Sequence, residues 1–294
     1  MSSKSQSLVR SGDLVPFQRE PSRSRWTLMT ESPDPQHPLV AANEAFFEKT
    51  ERVLRDLFDR ARARHELYFA FSLNPEFRGE QDAGWSTADD AQIAFDEYLA
   101  FLREGAFTSL KARVALAFYC HLAEASGYYE IPKNMLRVIG GQPYNMWPFQ
   151  DLVETHRKTG AVIAPNANKV LRDLAGHAAT LGLSELAEVF RDAFDPDIRN
   201  AYAHADYVIW RDGLRLRKRN GGFPREVPWP EFQARFDRGI NVFHLLREIV
   251  IEYVASYNPA KQFRGRMAEN KSELVWTIHF DPEKKTFGIS GGLG

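Results

Sequence analysis

The chain has 294 residues, enough for one large or two modest domains, with 44% hydrophobic and 26% charged residues, the balance of an ordinary globular protein. Thirty-eight Lys and Arg stand against 39 Asp and Glu, so no global field selects a nucleic acid or a membrane, and any such partner must be met by a local patch. A single cysteine, Cys120, excludes an internal disulfide and suits a reducing, cytoplasmic compartment; lying in the apolar stretch after Ala115, it reads as a core residue.

Residues 1–38 are rich in Ser, Arg, Pro and Gln, with Pro33, Pro35 and Pro38 at their end. Such a segment buries too little apolar surface to offset ordering, so a disordered arm is expected. It lacks the apolar run of a secretory signal. Helical periodicity then begins: Phe47, Leu54, Leu57, Phe58, Ala61 and Tyr68 predict one helix over Glu44 to Phe71. A polar stretch through Trp85 separates it from a second helix, Asp90 to Glu104, with Ser86, Thr87 and Asp89 as caps. These N-terminal helices, residues 39–106, are expected to pack on a bundle formed by 107–258.

Leu110 to Ala125 is apolar nearly all round and predicts a helix buried on most sides. Gly127 to Pro148, with Gly140, Gly141, Pro143 and Pro148, reads as irregular, and Phe149 to Lys158, Asn168 to Leu181 and Ser184 to Phe194 as helices. Asp195 and Pro196 form a cap and first turn for another. Beyond it the period changes to two: Tyr207 to Trp210 and Leu214 to Lys218 flank an Asp212-Gly213 turn and predict a β-hairpin near 207–218. Pro228 and Pro230 open a long helix, and 259–294 end in a second hairpin, Leu274 to Phe280 with Thr286 to Ser290. The apolar stretch Ile240 to Val254 is interrupted by His244, Arg247, Glu248 and Glu252, so no membrane span is expected.

The chemistry concentrates in Arg-Asn-Ala-Tyr-Ala-His, Arg199 to His204. At about 100° per residue, Ile198, Ala201, Tyr202, Ala205 and Ile209 share a core-facing arc. Arg199, Asn200, Ala203 and His204 share the opposite one. Metal-independent RNA cleavage needs the 2′-hydroxyl deprotonated, the 5′-oxygen protonated and the charge gathering on phosphorus stabilised. Histidine serves both proton transfers near neutral pH, and arginine offers phosphate a planar, permanently charged fork. One face carries one histidine; a two-fold dimer would bring the second, with the small Ala203 allowing close approach.

Arg199-Asn200-x-x-x-His204 on a late helix of an α-helical protein resembles the Arg-x4-6-His signature of the HEPN superfamily. The resemblance implies a mainly α, HEPN-like bundle, here with one or two small β-hairpins in the C-terminal third, and dimerisation. In many members it implies endoribonuclease activity in toxins or antiviral effectors. It assigns Arg199 and His204 as catalytic and Asn200 as their helper. RNA, a second copy of the chain and an antitoxin or sensor protein are the implied partners. The alternative is a non-catalytic module that uses the same face to dimerise or to bind a partner protein or nucleotide. Arg60 to His65 and Arg172 to His177 repeat the spacing without the adjacent Asn.

Arg215, Arg217, Lys218, Arg219 and Arg225 follow the motif and form a candidate strip for RNA phosphates, or a charged hairpin edge. Tyr144, Trp147 and Phe149 read as loop anchors before base-stacking platforms, His121 as a core histidine bonded to a neighbour, and Arg52, Arg55, Arg60, Arg62 and Arg64 as a solvated helix face. No zinc spacing and no phosphate loop is present, so neither metal nor cofactor is expected.

Overall fold

A computed structural model describes residues 38–76, 85–218, 222–267 and 271–292. Most of the expected N-terminal arm, most of the polar stretch before Trp85, and Arg219 lie outside the described residues.

The chain is mainly α-helical. Helix α1 (Pro38–Arg64) and α9 (Trp229–Ala255) are long, and around them stand α2 (Glu66–Ser72), α3 (Thr87–Arg103), α4 (Ser109–Glu124), α5 (Ser126–Ile139), α6 (Ala167–Thr180), α7 (Ser184–Asp192) and α8 (Pro196–Ala203). Their apolar stripes meet in one continuous core running from Phe46 to Phe287. Burial of side chains this size, at about 25 cal/mol per Å² of apolar surface, is the main force holding the bundle together. Helix α4 lies at its centre with Ala115, Leu116, Phe118, Tyr119 and Leu122 buried, as its apolar circumference required. Phe118 packs against Phe95 of α3 and Phe236 of α9, with ring centroids 5.6 and 6.0 Å apart. Gly239 of α9 is dictated by close approach: a Cβ there would stand 2.6 Å from a ring carbon of Phe194.

Three expectations are corrected. The first helix is divided at His65, whose ring Nδ1 accepts the Tyr68 amide at 3.2 Å and caps α2. Gly127 to Pro148 is not wholly irregular, because Ser126–Ile139 is helical in spite of Pro132. A mid-helix proline costs about 3 kcal/mol, and here burial of α5 from Gly127 to Leu136 offsets it. Gly127 itself is held to glycine by Thr87 Oγ1, 2.6 Å from where a Cβ would stand. Phe149 to Lys158 is not a helix: a 3-10 turn, Gln150–Leu152, leads into an exposed antiparallel pair, β1 (Glu154–Thr155) and β2 (Val162–Ile163). Its turn closes through Gly160, whose positive φ suits glycine.

The two C-terminal hairpins are present, each enlarged by a third strand. β3 (Tyr207–Ile209), β4 (Gly213–Leu216) and β5 (Arg225–Pro228) form one antiparallel sheet, with Leu214 opposite both Ile209 and Val227. β6 (Lys261–Gly265), β7 (Leu274–Asp281) and β8 (Thr286–Gly292) form another. Trp276 and Ile278 of β7 face the core, and Trp276 packs on Phe71 of α2 at 4.9 Å. Among the described residues no helix is long and apolar enough to cross a membrane.

Candidate functional site around helix α8

Helix α8 is fixed first at its start. The Asp195 side chain accepts the amides of Asp197 (2.9 Å) and Ile198 (3.2 Å), and its own amide donates to the Tyr119 hydroxyl at 2.6 Å. The Asp195 carboxylate, 4% exposed, pairs with Arg225 at 2.9 Å and Arg235 at 3.0 Å. Burial opposes its ionisation. The Arg225 hydrogen bond and the charges of Arg235 and Arg225 outweigh burial and hold it below the usual aspartate range. Ile198 and Ala201 then face the core, as the helical arc required.

Arg199 does not face solvent. Its side chain is 12% exposed, and Nε donates to Glu124 Oε1 at 2.5 Å, with Nη2 on the same oxygen. Nη1 donates to Asn200 Oδ1 at 2.8 Å, and Asn168 Nδ2 donates to that oxygen at 3.4 Å. The other Glu124 oxygen accepts the Ala167 amide at 3.1 Å, in the first turn of α6. One small network thus joins the end of α4, the start of α6 and the middle of α8. Sequence reading missed both Glu124 and Asn168. The signal for Glu124 was a lone acid ending an otherwise apolar helix.

His204 follows at the end of the helix, its amide donating to the Asn200 carbonyl at 3.1 Å. The helix ends at Ala203, and His204 is its C-cap. The chain then turns through Ala205, at φ 53°, with Ala205 N donating to Tyr202 O (3.0 Å) and Asp206 N to Ala201 O (2.8 Å). This pair of bonds is a Schellman closure, whose left-handed position is usually glycine. Ala203, His204 and Ala205 are exposed. The expected single polar face is therefore divided: Arg199 and Asn200 sit half-buried in the network, while His204 stands at the exposed rim. Ala205 and Ile209, expected on the core arc of the helix, lie beyond its end, with Ile209 in β3.

The expected basic strip is largely engaged with acids. Leu214 and Leu216 are buried and Arg215 and Arg217 point to the other side, as alternation required. Arg215, however, lies over the Trp210 ring at 4.6 Å and near Glu226 at 3.7 Å. Lys218 faces Asp197 at 3.7 Å, and Arg225 is bound by Asp195, Asp197 and Glu231. Arg217 is exposed.

Tyr144 and Phe149 are buried, Tyr144 on Phe71 at 5.5 Å, whereas Trp147 is exposed. His121 lies beside Tyr98, with ring centroids 6.0 Å apart. Its Nε2 is enclosed without the expected hydrogen bond. Cys120 is buried, its thiol pushed up to about 12 by desolvation, and contacts the Arg199 carbonyl at 3.9 Å, a packing role. The other two Arg-x4-His pairs are otherwise employed: Arg60 on Asp56 and His65 as a cap, Arg172 on the Asn168 carbonyl and His177 beside Lys133. Among the described residues no group of three or more His, Cys, Asp or Glu is arranged to hold a metal ion.

No protein-family model, no curated protein and no solved structure matches the chain.

Proposed function

We propose that the chain is a HEPN-type endoribonuclease that cleaves RNA by 2′-hydroxyl attack without a metal ion. The observation that carries this reading is the placement of exposed His204 at the end of the short helix that holds the Arg199–Asn200 pair. In the proposed reaction His204 takes the 2′-hydroxyl proton as the 2′-oxygen attacks phosphorus. A second acid gives a proton to the departing 5′-oxygen, leaving a 2′,3′-cyclic phosphate and a 5′-hydroxyl. The second acid is His204 of another copy, across a two-fold axis on which the exposed Ala203 permits close approach. Arg199 stabilises the phosphorane charge, and Asn200 orients its guanidinium through the 2.8 Å bond. Exposed Arg217 adds a sequence-independent phosphate contact. Acting in the cytoplasm, such an enzyme would serve as a toxin or antiviral effector, restrained by an antitoxin or sensor protein.

One feature of the site favours the second reading, a non-catalytic binding or dimerisation module. Glu124 already occupies two of the Arg199 nitrogens. A catalytic Arg199 must exchange that carboxylate for phosphate, whereas a structural one never needs to.

The test is cleavage of a mixed RNA pool in EDTA by wild type, His204→Ala, Arg199→Ala and Glu124→Gln. Loss of a general acid–base group costs about 10²–10⁴-fold in rate. Cleavage by wild type, with both His204→Ala and Arg199→Ala reduced on that scale while still folded, supports the ribonuclease. Glu124→Gln, which weakens the competing ion pair, should then retain or exceed wild-type activity. Absence of cleavage by both wild type and Glu124→Gln favours the binding module.

A further inference from the structure

A second cluster of charged groups lies away from α8, where α5 and α6 face each other. Each helix contributes two residues one turn apart, Lys133 and Arg137 from α5 and Asp173 and His177 from α6. Lys133 is nine-tenths buried. Its ammonium lies 2.6 Å from Asp173 Oδ2 and 3.4 Å from His177 Nδ1. An ammonium can only donate, so Nδ1 is the acceptor and the ring proton sits on Nε2. Burial, then the Lys133 charge, holds His177 below the usual histidine range, which keeps the ring neutral at pH 7.

Arg137 is the unexplained member. The residue is partly exposed, and its Nε–H is buried without an acceptor. Desolvation lowers its pKa, and the charge of Asp151 opposes this only in part. Lys133 thus has the Asp173 carboxylate close by, whereas among the described residues Arg137 makes no ion pair. A buried donor left unsatisfied is destabilising, and an accepting anion would remove that cost. Arg137 and His177 are each partly exposed, so the cluster has an edge that meets solvent.

We propose that Arg137, the Nε2–H of His177 and the ammonium of Lys133 form a binding site for the phosphate group of a small molecule. Guanidinium, imidazole N–H and ammonium are the donors that match a tetrahedral, multiply charged acceptor. Asp173 fixes the lysine and limits the excess positive charge. This site is separate from the Arg199–His204 pair and does not depend on the ribonuclease reading.

The test is thermal unfolding of the full chain in inorganic phosphate against sodium chloride at equal ionic strength and pH 7. Wild type, Arg137→Gln and His177→Gln are compared, with a nucleoside monophosphate as a second ligand arm. Phosphate at 100 times its Kd should raise the wild-type unfolding temperature by several degrees over chloride. The rise should be lost in Arg137→Gln and reduced in His177→Gln. A response to inorganic phosphate identifies the free anion as sufficient. A response to the nucleotide alone assigns the site to phosphate monoesters. Equal behaviour in phosphate, nucleotide and chloride overturns the proposal, as does an undiminished response in both variants. If either variant is unfolded, titration of the wild-type His177 ring resonances with phosphate at fixed pH decides: a saturable shift supports the site, and none overturns it.

Discussion

The two ends of α8 are built on opposite terms. At the start, Asp195 is surrounded by two amides, two arginines and the Tyr119 hydroxyl. At the finish, His204 and Ala205 stand exposed on a turn that holds a non-glycine residue in the left-handed region. The contrast separates what anchors the helix from what it presents. The buried end tolerates little change, because its polar groups have given up water for protein partners, several of them shared on the Asp195 carboxylate. The exposed end is open to solvent, and a non-glycine residue held there against backbone preference invites a functional explanation.

The strongest way to break the comparison is to remove Asp195. Asp195→Ala should cost about 3 kcal/mol in urea unfolding, because it strips a helix cap and leaves Arg225 and Arg235 without their most buried partner. A loss below about 1 kcal/mol would mean that Asp197 and Glu231 compensate. The same depressed carboxyl gives a pH signature. Its stabilisation is fully present above the ordinary aspartate value near 4 and is lost as pH falls through the lower folded-state value.

A comparable effect is expected from the core. His244 of α9 stacks on Phe95, with ring centroids 6.1 Å apart, and desolvation with the nearby Arg247 charge pushes it down to about 4. Because the folded value lies below the unfolded one, near 6.5, its contribution is complete above pH 6.5 and drains away towards pH 4. It amounts to about 3 kcal/mol. Unfolding midpoints measured across that range should fall, and His244→Phe should flatten the fall. An unchanged slope in a folded variant would assign the acid sensitivity elsewhere.

Smaller changes sharpen the view of the exposed end. Ala205→Gly should stabilise the protein by about 1 kcal/mol by relieving the left-handed strain. A destabilisation would show that the methyl group itself is needed. His204→Ala should alter stability by less than about 0.5 kcal/mol, as exposed positions do. Set against a large loss of RNA cleavage, that result would mark His204 as a residue presented for chemistry. A stability loss of 2 kcal/mol would mark it as part of the scaffold.

Much of the local design is written along the chain. The Asp195-Pro196 start, the all-round apolar character of α4 and the alternation that buries Leu214 and Leu216 each depend on neighbours within a few residues, so spacing alone exposes them. The hairpin was also legible, but its turn is Arg211-Asp212, and Gly213, expected in the turn, opens β4 against Pro228. The misreadings share a cause as well. Pro132 and Gly127 argued locally against a helix, and only burial on most of its surface allows α5 to form. The segment after Phe149 has helical composition, yet β-branched Val153, Thr155, Val162 and Ile163 around the turn at Gly160 favour a hairpin.

The same division runs through the candidate site. The sequence by itself determined that Arg199 and Asn200 lie on a helix capped by Asp195 and that basic residues follow on a hairpin, but not that the helix stops at Ala203 with His204 as its C-cap. Tertiary structure alone decided what each of them meets. Glu124 lies 75 positions before Arg199 and Asn168 lies 32 before Asn200, separations at which no periodicity connects two residues. Likewise Arg225 reaches back to Asp195 only because β5 returns beside α8. Caps and faces follow from backbone geometry within a turn or two, whereas a charge takes as its partner whichever opposite charge the packed core brings within reach.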